Sequence, residues 1–263
     1  MDNNMIDNSV IDNSVIDNKE FLKKQGEDKN FKGLSNIWTE KAIQYKHVYN
    51  FTWLGRPILQ MTQDIYAMQE LIWKVKPDLI IETGIAHGGS LILSASMLAL
   101  LDYCEGYRND EFSGRKVIGI DIEIRPHNRK AIEEHPLSHL IHLFECSSTN
   151  DNVTKHIGKW SITHNKIMIF LDSNHTHEHV LAELNTYAPL VSIGSYIVVW
   201  DTGIEELPEY MLENSSKPWK RGNNPKTAVH EFLKTNNQFE IDKELENKLM
   251  ITSTSDGFLR RIK

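Results

Sequence analysis

Near-continuous apolar runs at 79–81, 117–120, 167–171 and 196–199 alternate with stretches in which apolar residues recur every three or four positions. Ile167-Met168-Ile169-Phe170-Leu171 offers no polar face. Such a strand is covered by helices on both sides, so a mostly parallel sheet is expected. The pattern predicts strands over 78–83, 116–121, 139–144, 166–172 and 195–200, with helices starting near Gly88, Pro126, Asn150 and Thr176. An earlier helix follows from Ile65, Met68, Leu71, Ile72 and Val75, and Pro77 ends it. Beyond Asp201 a long polar stretch holds Pro208, Pro218 and Gly222-Asn223-Asn224-Pro225, then a helix places Ala228, Val229, Phe232 and Leu233 on one face. The segments 239–241, 248–252 and 257–259 read as terminal strands with a turn at Ser255-Asp256-Gly257. They form an expected antiparallel pair at the sheet edge.

Two segments stand outside this alternation. Residues 1–18 repeat Ile-Asp-Asn-Ser-Val with a period that fits neither a helix nor a known solenoid, and read as a flexible tail. Residues 19–76 form an N-terminal helical or lid extension in front of a domain at 77–263. Trp38, Tyr45, Tyr49, Phe51 and Trp53 make this extension rich in aromatics, as a lid or interface is, although helices that merely cap the core would serve equally.

Charge and cysteine usage narrow the function. With 29 basic against 36 acidic side chains the chain carries a net charge of -7, so a nucleic-acid partner has no electrostatic footprint to rest on. Small-molecule chemistry is expected instead. Cys104 and Cys146 form no Cys-x-x-Cys and the chain opens on acidic residues, which reads as reduced thiols in a cytoplasmic protein. The longest mainly apolar stretch, 91–101, is well short of the roughly 18 to 20 residues that span a bilayer.

The candidate chemistry sits at strand ends. Leu79-Ile80-Ile81-Glu82-Thr83-Gly84 runs into Ile85-Ala86-His87-Gly88-Gly89-Ser90, a buried strand followed by a Gly-rich turn and a helix. Glycine there lets backbone N–H groups approach a ligand closely. Ala86 at the second glycine position weakens a dinucleotide Gly-x-Gly-x-x-Gly reading. The pattern resembles motif I of class I S-adenosylmethionine (SAM) methyltransferases. Asp121, at the tip of the next strand, is placed to accept from both ribose hydroxyls. Asp172 and Asp201 end two further buried strands, where ligands bind in an open α/β sheet. Two converging carboxylates repel unless protonated or bridged by a cation, and Mg2+ suits a site of one or two carboxylates.

Taken in order, Glu82-Thr83-Gly84 with Gly88-Gly89-Ser90, Ile120-Asp121, Leu171-Asp172-Ser173 with His175, Val180 and Glu183-Leu184, and Tyr196-Ile197-Val198-Val199 with Asp201-Thr202 resemble the cephalosporin hydroxylase or rhamnosyl O-methyltransferase family. The likeness runs from about Trp53 to about Leu233. It implies an α/β, Rossmann-like class I SAM methyltransferase fold: a mostly parallel seven-stranded sheet with antiparallel terminal strands, and helices on both faces. It also implies homo-oligomeric assembly and Mg2+-assisted methyl transfer to a hydroxyl of a sugar or small natural product. Carried over by position, Glu82, Gly84, His87, Gly88, Gly89, Ser90, Asp121 and Asp172 contact SAM, with Ser147 near its adenine, and Asp172 and Asp201 bind metal. His175 is read as general base with Asp172 beside it, since imidazole titrates near neutrality; capping the next helix or orienting Asp172 is the alternative role. The family commonly has an acid before the last aspartate, where this chain has Trp200. Thr202, Asn174 or a water would then supply the missing oxygen.

Other readings compete. His175, His177 and His179 suggest zinc, but they do not form His-Glu-x-x-His. An iron hydroxylase needs a His-x-Asp/Glu triad, and no histidine here has an acid two positions later. Gly194-Ser195, expected inside a strand, gives no hydrolase elbow. A SAM-fold scaffold that has lost catalysis is the nonenzymatic alternative, motivated by Trp200, whose indole would close the metal site or stack on an acceptor. Trp53, Arg56 and Trp200 are the candidates for acceptor contact, with core packing the alternative for Trp53.

Overall fold

The computed structural model describes residues 19–107, 113–213 and 216–263, and the repeat at 1–18 lies outside them. Its centre is a sheet of seven strands: β1 (Leu79–Thr83), β2 (Lys116–Asp121), β3 (Ile141–Glu145), β4 (Ile167–Leu171), β5 (Tyr196–Val199), β6 (Phe239–Ile241) and β7 (Phe258–Arg261). They lie in the order β3-β2-β1-β4-β5-β7-β6. β1 to β5 pair in parallel, and β7 runs antiparallel to both β5 and β6. The sequence direction of the order reverses beside β1, between β2 and β4. That switch point opens a crevice above the carboxyl ends of these strands.

Period-two alternation explains both cores. Ile80, Val117, Met168, Tyr196 and Val198 point to one face, under α3 (Thr62–Val75) and α4 (Gly89–Cys104). Leu79, Ile81, Ile118, Ile120, Ile169 and Val199 point to the other, under α6 (Asp151–Thr163), α7 (His177–Tyr187) and α9 (Pro225–Thr235). Each such side chain stabilises by about 1.5–3 kcal/mol when fully buried. The expected fold with helices on both faces is therefore the one observed. α5 (Pro126–Glu133) adds Ile132 to the first core.

The structure changes three of the expected elements. Residues 248–252 form no strand: Asp242 caps α10 (Lys243–Leu249) by accepting from Leu245 N (3.0 Å), and the hydroxyls of Thr252 and Ser253 turn to Asp64 instead of a ladder. The third strand begins at Ile141, because Ser138–Leu140 forms a 3-10 turn. Gly194-Ser195 is a turn before β5, with Gly194 at φ +82°.

In the extension, Asp28 caps α2 (Lys29–Gln44), which follows α1 (Lys19–Glu27). Gln25 of α1 donates to Asn247 O of α10 (2.7 Å). A hairpin at Thr52–Trp53 and Arg56–Pro57 then lies on α4, with Trp53 Nε1 donating to Ser96 Oγ (3.0 Å). α8 (Glu209–Leu212) follows β5.

Candidate active site

The crevice opens into a cavity of about 1340 Å³. One wall is the turn between β1 and α4. Gly84 has φ +79°, and a Cβ there would lie 1.9 Å from Asp172 O, so this turn touches the end of β4 backbone to backbone. Gly89, opening α4, is as tightly enclosed by Pro57 O at 2.2 Å. Any side chain at either position would push the turn off its neighbours. Asp121 accepts from Ile85 N (2.9 Å) and Glu123 N (3.1 Å), which fixes its carboxylate at the cavity edge.

Gly84, His87, Gly89, Ser90, Asp121, Ser147 and Asp172 all line this cavity. Glu82 and Gly88 lie behind it. Glu82 is buried and accepts from Ser90 Oγ, while its Oε2 has no partner. Burial pushes its pKa up to about 8 against the Ser90 bond, with the charge of Asp172 adding to the rise. Gly88 takes φ +83° as the cap of α4.

Directly beside this turn β4 and β5 deliver Asp172 and Asp201. Asp201 has φ +57°, a left-handed conformation that Asp tolerates better than most residues, and it turns the chain sharply after β5. His175 lies between the two acids: Nδ1 is 3.1 Å from Asp201 Oδ2 and Nε2 is 3.4 Å from Asp172 Oδ1. Gln60 Nε2 donates to the other Asp172 oxygen (3.0 Å). Burial alone would lower the His175 pKa, but Asp201 and then Asp172 outweigh it and raise it to about 9. Burial raises Asp172, opposed by its bond to His175 and reinforced by Asp201.

The acceptor and ligand candidates fare differently. Trp200 is buried between Phe170 and Phe258 in the first core, off the cavity wall, so it neither closes the site nor meets an acceptor. Strand alternation sends it to the face opposite Val199. Trp53 packs against the same core. Arg56 donates twice to His87 O (3.0 and 2.6 Å) and once to Asn128 Oδ1 (2.9 Å), bracing the glycine turn from behind. Thr202 is buried and faces Ser253 O, and Asn174 Oδ1 accepts from Thr176 N (2.9 Å). Neither supplies a ready oxygen.

Sequence reasoning missed several wall residues. His179 Nε2 lies 3.1 Å from both Ser148 Oγ and Ser173 Oγ, and Ser173 donates to buried Glu183 (2.7 Å). His177 turns instead to Thr227 Oγ1 (2.8 Å), so the three histidines share no centre and the zinc reading fails. Trp219 reaches His175, with ring centroids 4.8 Å apart. Asn36 and Thr39 of α2 also line the cavity. No motif marks α2 or Trp219; only the aromatic density of 19–56 hinted at a wall there.

The family model described as Rhamnosyl O-methyltransferase/CmcI matches residues 45–262. The chain belongs to this family of SAM-dependent O-methyltransferases. Rhamnosyl O-methyltransferases of Mycobacterium tuberculosis and Mycobacterium bovis are 30% identical over 213 residues, covering 80% of this chain and 78% of theirs. That of Mycobacterium leprae is 27% identical over 80% of this chain and 82% of its own. Among solved structures, a CmcI complex with Mg and SAM has a TM-score of 0.52 at 17% identity, covering 82% of this chain and 78% of that one. An apo CmcI structure has a TM-score of 0.53 at 18% identity, covering 82% and 77%. These two share the fold.

As a Rhamnosyl O-methyltransferase/CmcI member the chain invites a test of its fit to a divalent cation. Ligand atoms of Asp172, His175 and Asp201 lie within 4.8 Å of one another, the one such group of three among the described residues. Two carboxylates meet the need of Mg2+ for oxygen donors, with waters completing its shell. The donor set fits, with Trp200 removed from the question.

Proposed function

We propose that this chain transfers the methyl group of SAM to a hydroxyl of a sugar, assisted by Mg2+ at Asp172 and Asp201, with His175 as general base. The observation that carries the reading is the meeting of the glycine turn, Asp121 and the Asp172–His175–Asp201 group in one cavity. The named mycobacterial relatives support the sugar.

SAM brings its own activated methyl, so the protein has to align an in-line displacement. Alignment of this kind is worth up to about 7–11 kcal/mol. In this reading the turn from Gly84 to Ser90 and Asp121 hold the nucleoside, with Asp172 beside the turn at Gly84. His175 takes the acceptor proton. Facing two carboxylates it holds its proton more tightly than a free imidazole, and it would act as a base only with their charge neutralised. Mg2+ held by Asp172 and Asp201 would supply that neutralisation and would lower the pKa of an acceptor hydroxyl.

In the same reading α1 and α2 act as a lid over the 77–263 domain, and the protein is a cytoplasmic homo-oligomer with both cysteines as thiols. Cys104 and Cys146 are free. The scaffold alternative loses its motive with Trp200 in the core.

Calorimetric titration with S-adenosylhomocysteine (SAH), in Mg2+ and in EDTA, tests the reading. Micromolar binding is expected, tighter or accompanied by Mg2+ uptake in the first case. Absence of binding in both would overturn it.

A further inference from the structure

Asp64 is fully buried in the first turn of α3, where no sequence motif marks it. Both of its oxygens are occupied. Oδ1 accepts from Thr252 Oγ1, and Oδ2 from Ser253 N (2.9 Å) and Ser253 Oγ (3.0 Å). A carboxylate taken out of water is costly unless hydrogen bonds satisfy it, so its place in the interior depends on this contact with residues 252 and 253. Burial pushes its pKa up to about 6, the bonds from Thr252 and Ser253 oppose the rise, and the charge of Asp201 adds to it. Asp201 is within electrostatic reach.

Ser253 passes this hold on. Its carbonyl accepts from Gly203 N (2.9 Å), two residues after Asp201, and from Thr202 Oγ1 (3.4 Å). Gly257 O accepts from Val199 N (2.9 Å), and a Cβ at Gly257 would lie 2.2 Å from Val199 O, so residues 253–257 clasp the exit of β5 before and after Asp201. Asp201 itself follows the strand in a left-handed turn at φ +57°, and the direction of its carboxylate depends on what holds residues 202 and 203. The same part of the N-terminal extension reaches the other acid. Gln60, four residues before Asp64, donates through Nε2 to Asp172 Oδ2 (3.0 Å), which leaves Oδ1 turned to His175. One short segment, 60–64, thus braces Asp172 directly and Asp201 through Ser253.

From this geometry we infer that Asp64 is a positioning residue for the cation site: through Ser253 it fixes Asp201 at the separation from Asp172 that a single divalent ion can bridge. The inference rests on the Mg2+ reading above and deepens it. Asp64 has both oxygens engaged and is no ligand itself. Ligand atoms of Asp172, His175 and Asp201 lie within 4.8 Å of one another. Mg2+ demands near-ideal octahedral geometry at about 2.0–2.1 Å, so a small displacement of Asp201 should cost affinity. The hydrogen bonds of Asp64 go to 252 and 253 and do not reach the glycine turn or Asp121, so SAH binding should not follow the cation. The extension is then part of the site and not only a cover over it.

The probe is Mn2+, a paramagnetic stand-in for Mg2+, titrated into the full chain and followed by electron paramagnetic resonance, with SAH affinity and melting temperature measured on the same samples. The parent should bind Mn2+. Asp64→Ala should weaken that binding about tenfold or more, the usual worth of a group that orients a metal ligand, with SAH affinity within about twofold of the parent. Asp64→Asn keeps an oxygen for Ser253 N–H and should restore Mn2+ affinity to within about threefold of the parent. Gly203→Ala disturbs the same link from its other end, since a Cβ there lies 3.2 Å from Ser253 O and the carbonyl has to give way. It should weaken Mn2+ by about three- to tenfold, and it carries the test should Asp64→Ala fail to fold. Unchanged Mn2+ affinity in folded Asp64→Ala, or otherwise in Gly203→Ala, overturns the inference. So does an equal loss of Mn2+ and SAH affinity in a folded variant, which would make Asp64 an anchor of the fold alone. A parent that binds SAH and takes up no Mn2+ overturns the cation reading instead, and one that binds neither overturns the methyltransferase reading.

Discussion

The two halves of the cavity are built from different material. On the side proposed for SAM, strand ends and a glycine turn meet backbone to backbone: Gly84 N–H donates to Ile120 O (2.7 Å), Asp172 N–H to Thr83 O (2.8 Å), and the Cβ position of Gly84 is filled by Asp172 O. On the side proposed for the acceptor, side chains from α2 and the 216–224 loop line the cavity. Asn36 is exposed and Trp219 half-buried. A ligand common to many enzymes is met by main chain, which tolerates few substitutions. A ligand particular to one enzyme is met by side chains that change without disturbing the sheet.

Substitutions should break this contrast in a graded way. Gly84→Ala places a methyl group against Asp172 O at positive φ, so it should abolish SAH binding and cost about 3 kcal/mol or more of stability, read by calorimetry and thermal melting. His175→Gln should lower kcat by about 10²–10⁴-fold and leave SAH affinity nearly unchanged, because the imidazole faces the two acids and Trp219. An equal loss of SAH affinity would place His175 on the cofactor side.

Glu82 yields a pH signature of the backbone half. Its folded pKa, about 8, lies above the ordinary 4.5, so the folded state binds more protons than the unfolded one between those values. Stability should therefore fall as pH rises from about 4.5 to 8 and level off above. The melting temperature of Glu82→Gln should decline less over that window. A steeper decline in the variant would mean that Glu82 is ionised in the fold. The smallest effect belongs to the side-chain half: Asn36→Ala should raise acceptor KM by roughly 2–10-fold, the worth of one hydrogen bond of about 0.5–1.5 kcal/mol, with SAH affinity and melting temperature unchanged.

Legibility from sequence followed the same division. The backbone half announces itself through Glu82-Thr83-Gly84 and Gly88-Gly89-Ser90, because a turn that needs positive φ and close approach can be written in few ways. Asp121, Asp172 and Asp201 were visible as acids closing apolar runs. Trp200 misled because adjacency in sequence suggested adjacency in the site, while β5 alternation carries its indole into the core. Thr202 and Asn174 looked like spare oxygens, yet Thr202 is buried with its hydroxyl donating to Ser253 O, and Asn174 Oδ1 already accepts from Thr176. The stretch 248–252 looked like a strand by composition, but Asp242 and the run Lys243-Glu244-Leu245-Glu246 start a helix that overrides it. Trp219 was invisible, since its position depends on a loop tied down by Asn223 across 46 residues of chain to His177.

The left-handed backbone at Asp201 has a bearing on how such a site drifts over generations. Asp and Asn are the side-chain-bearing residues that visit this conformation most readily. A change to Asn keeps the bend and the shape of the side chain while removing its charge. If Asp201 holds the proposed cation, the site has an exit from cation binding that leaves the fold intact, and a return by the same step. Most other replacements would meet a conformational penalty before their chemistry was ever tested by selection.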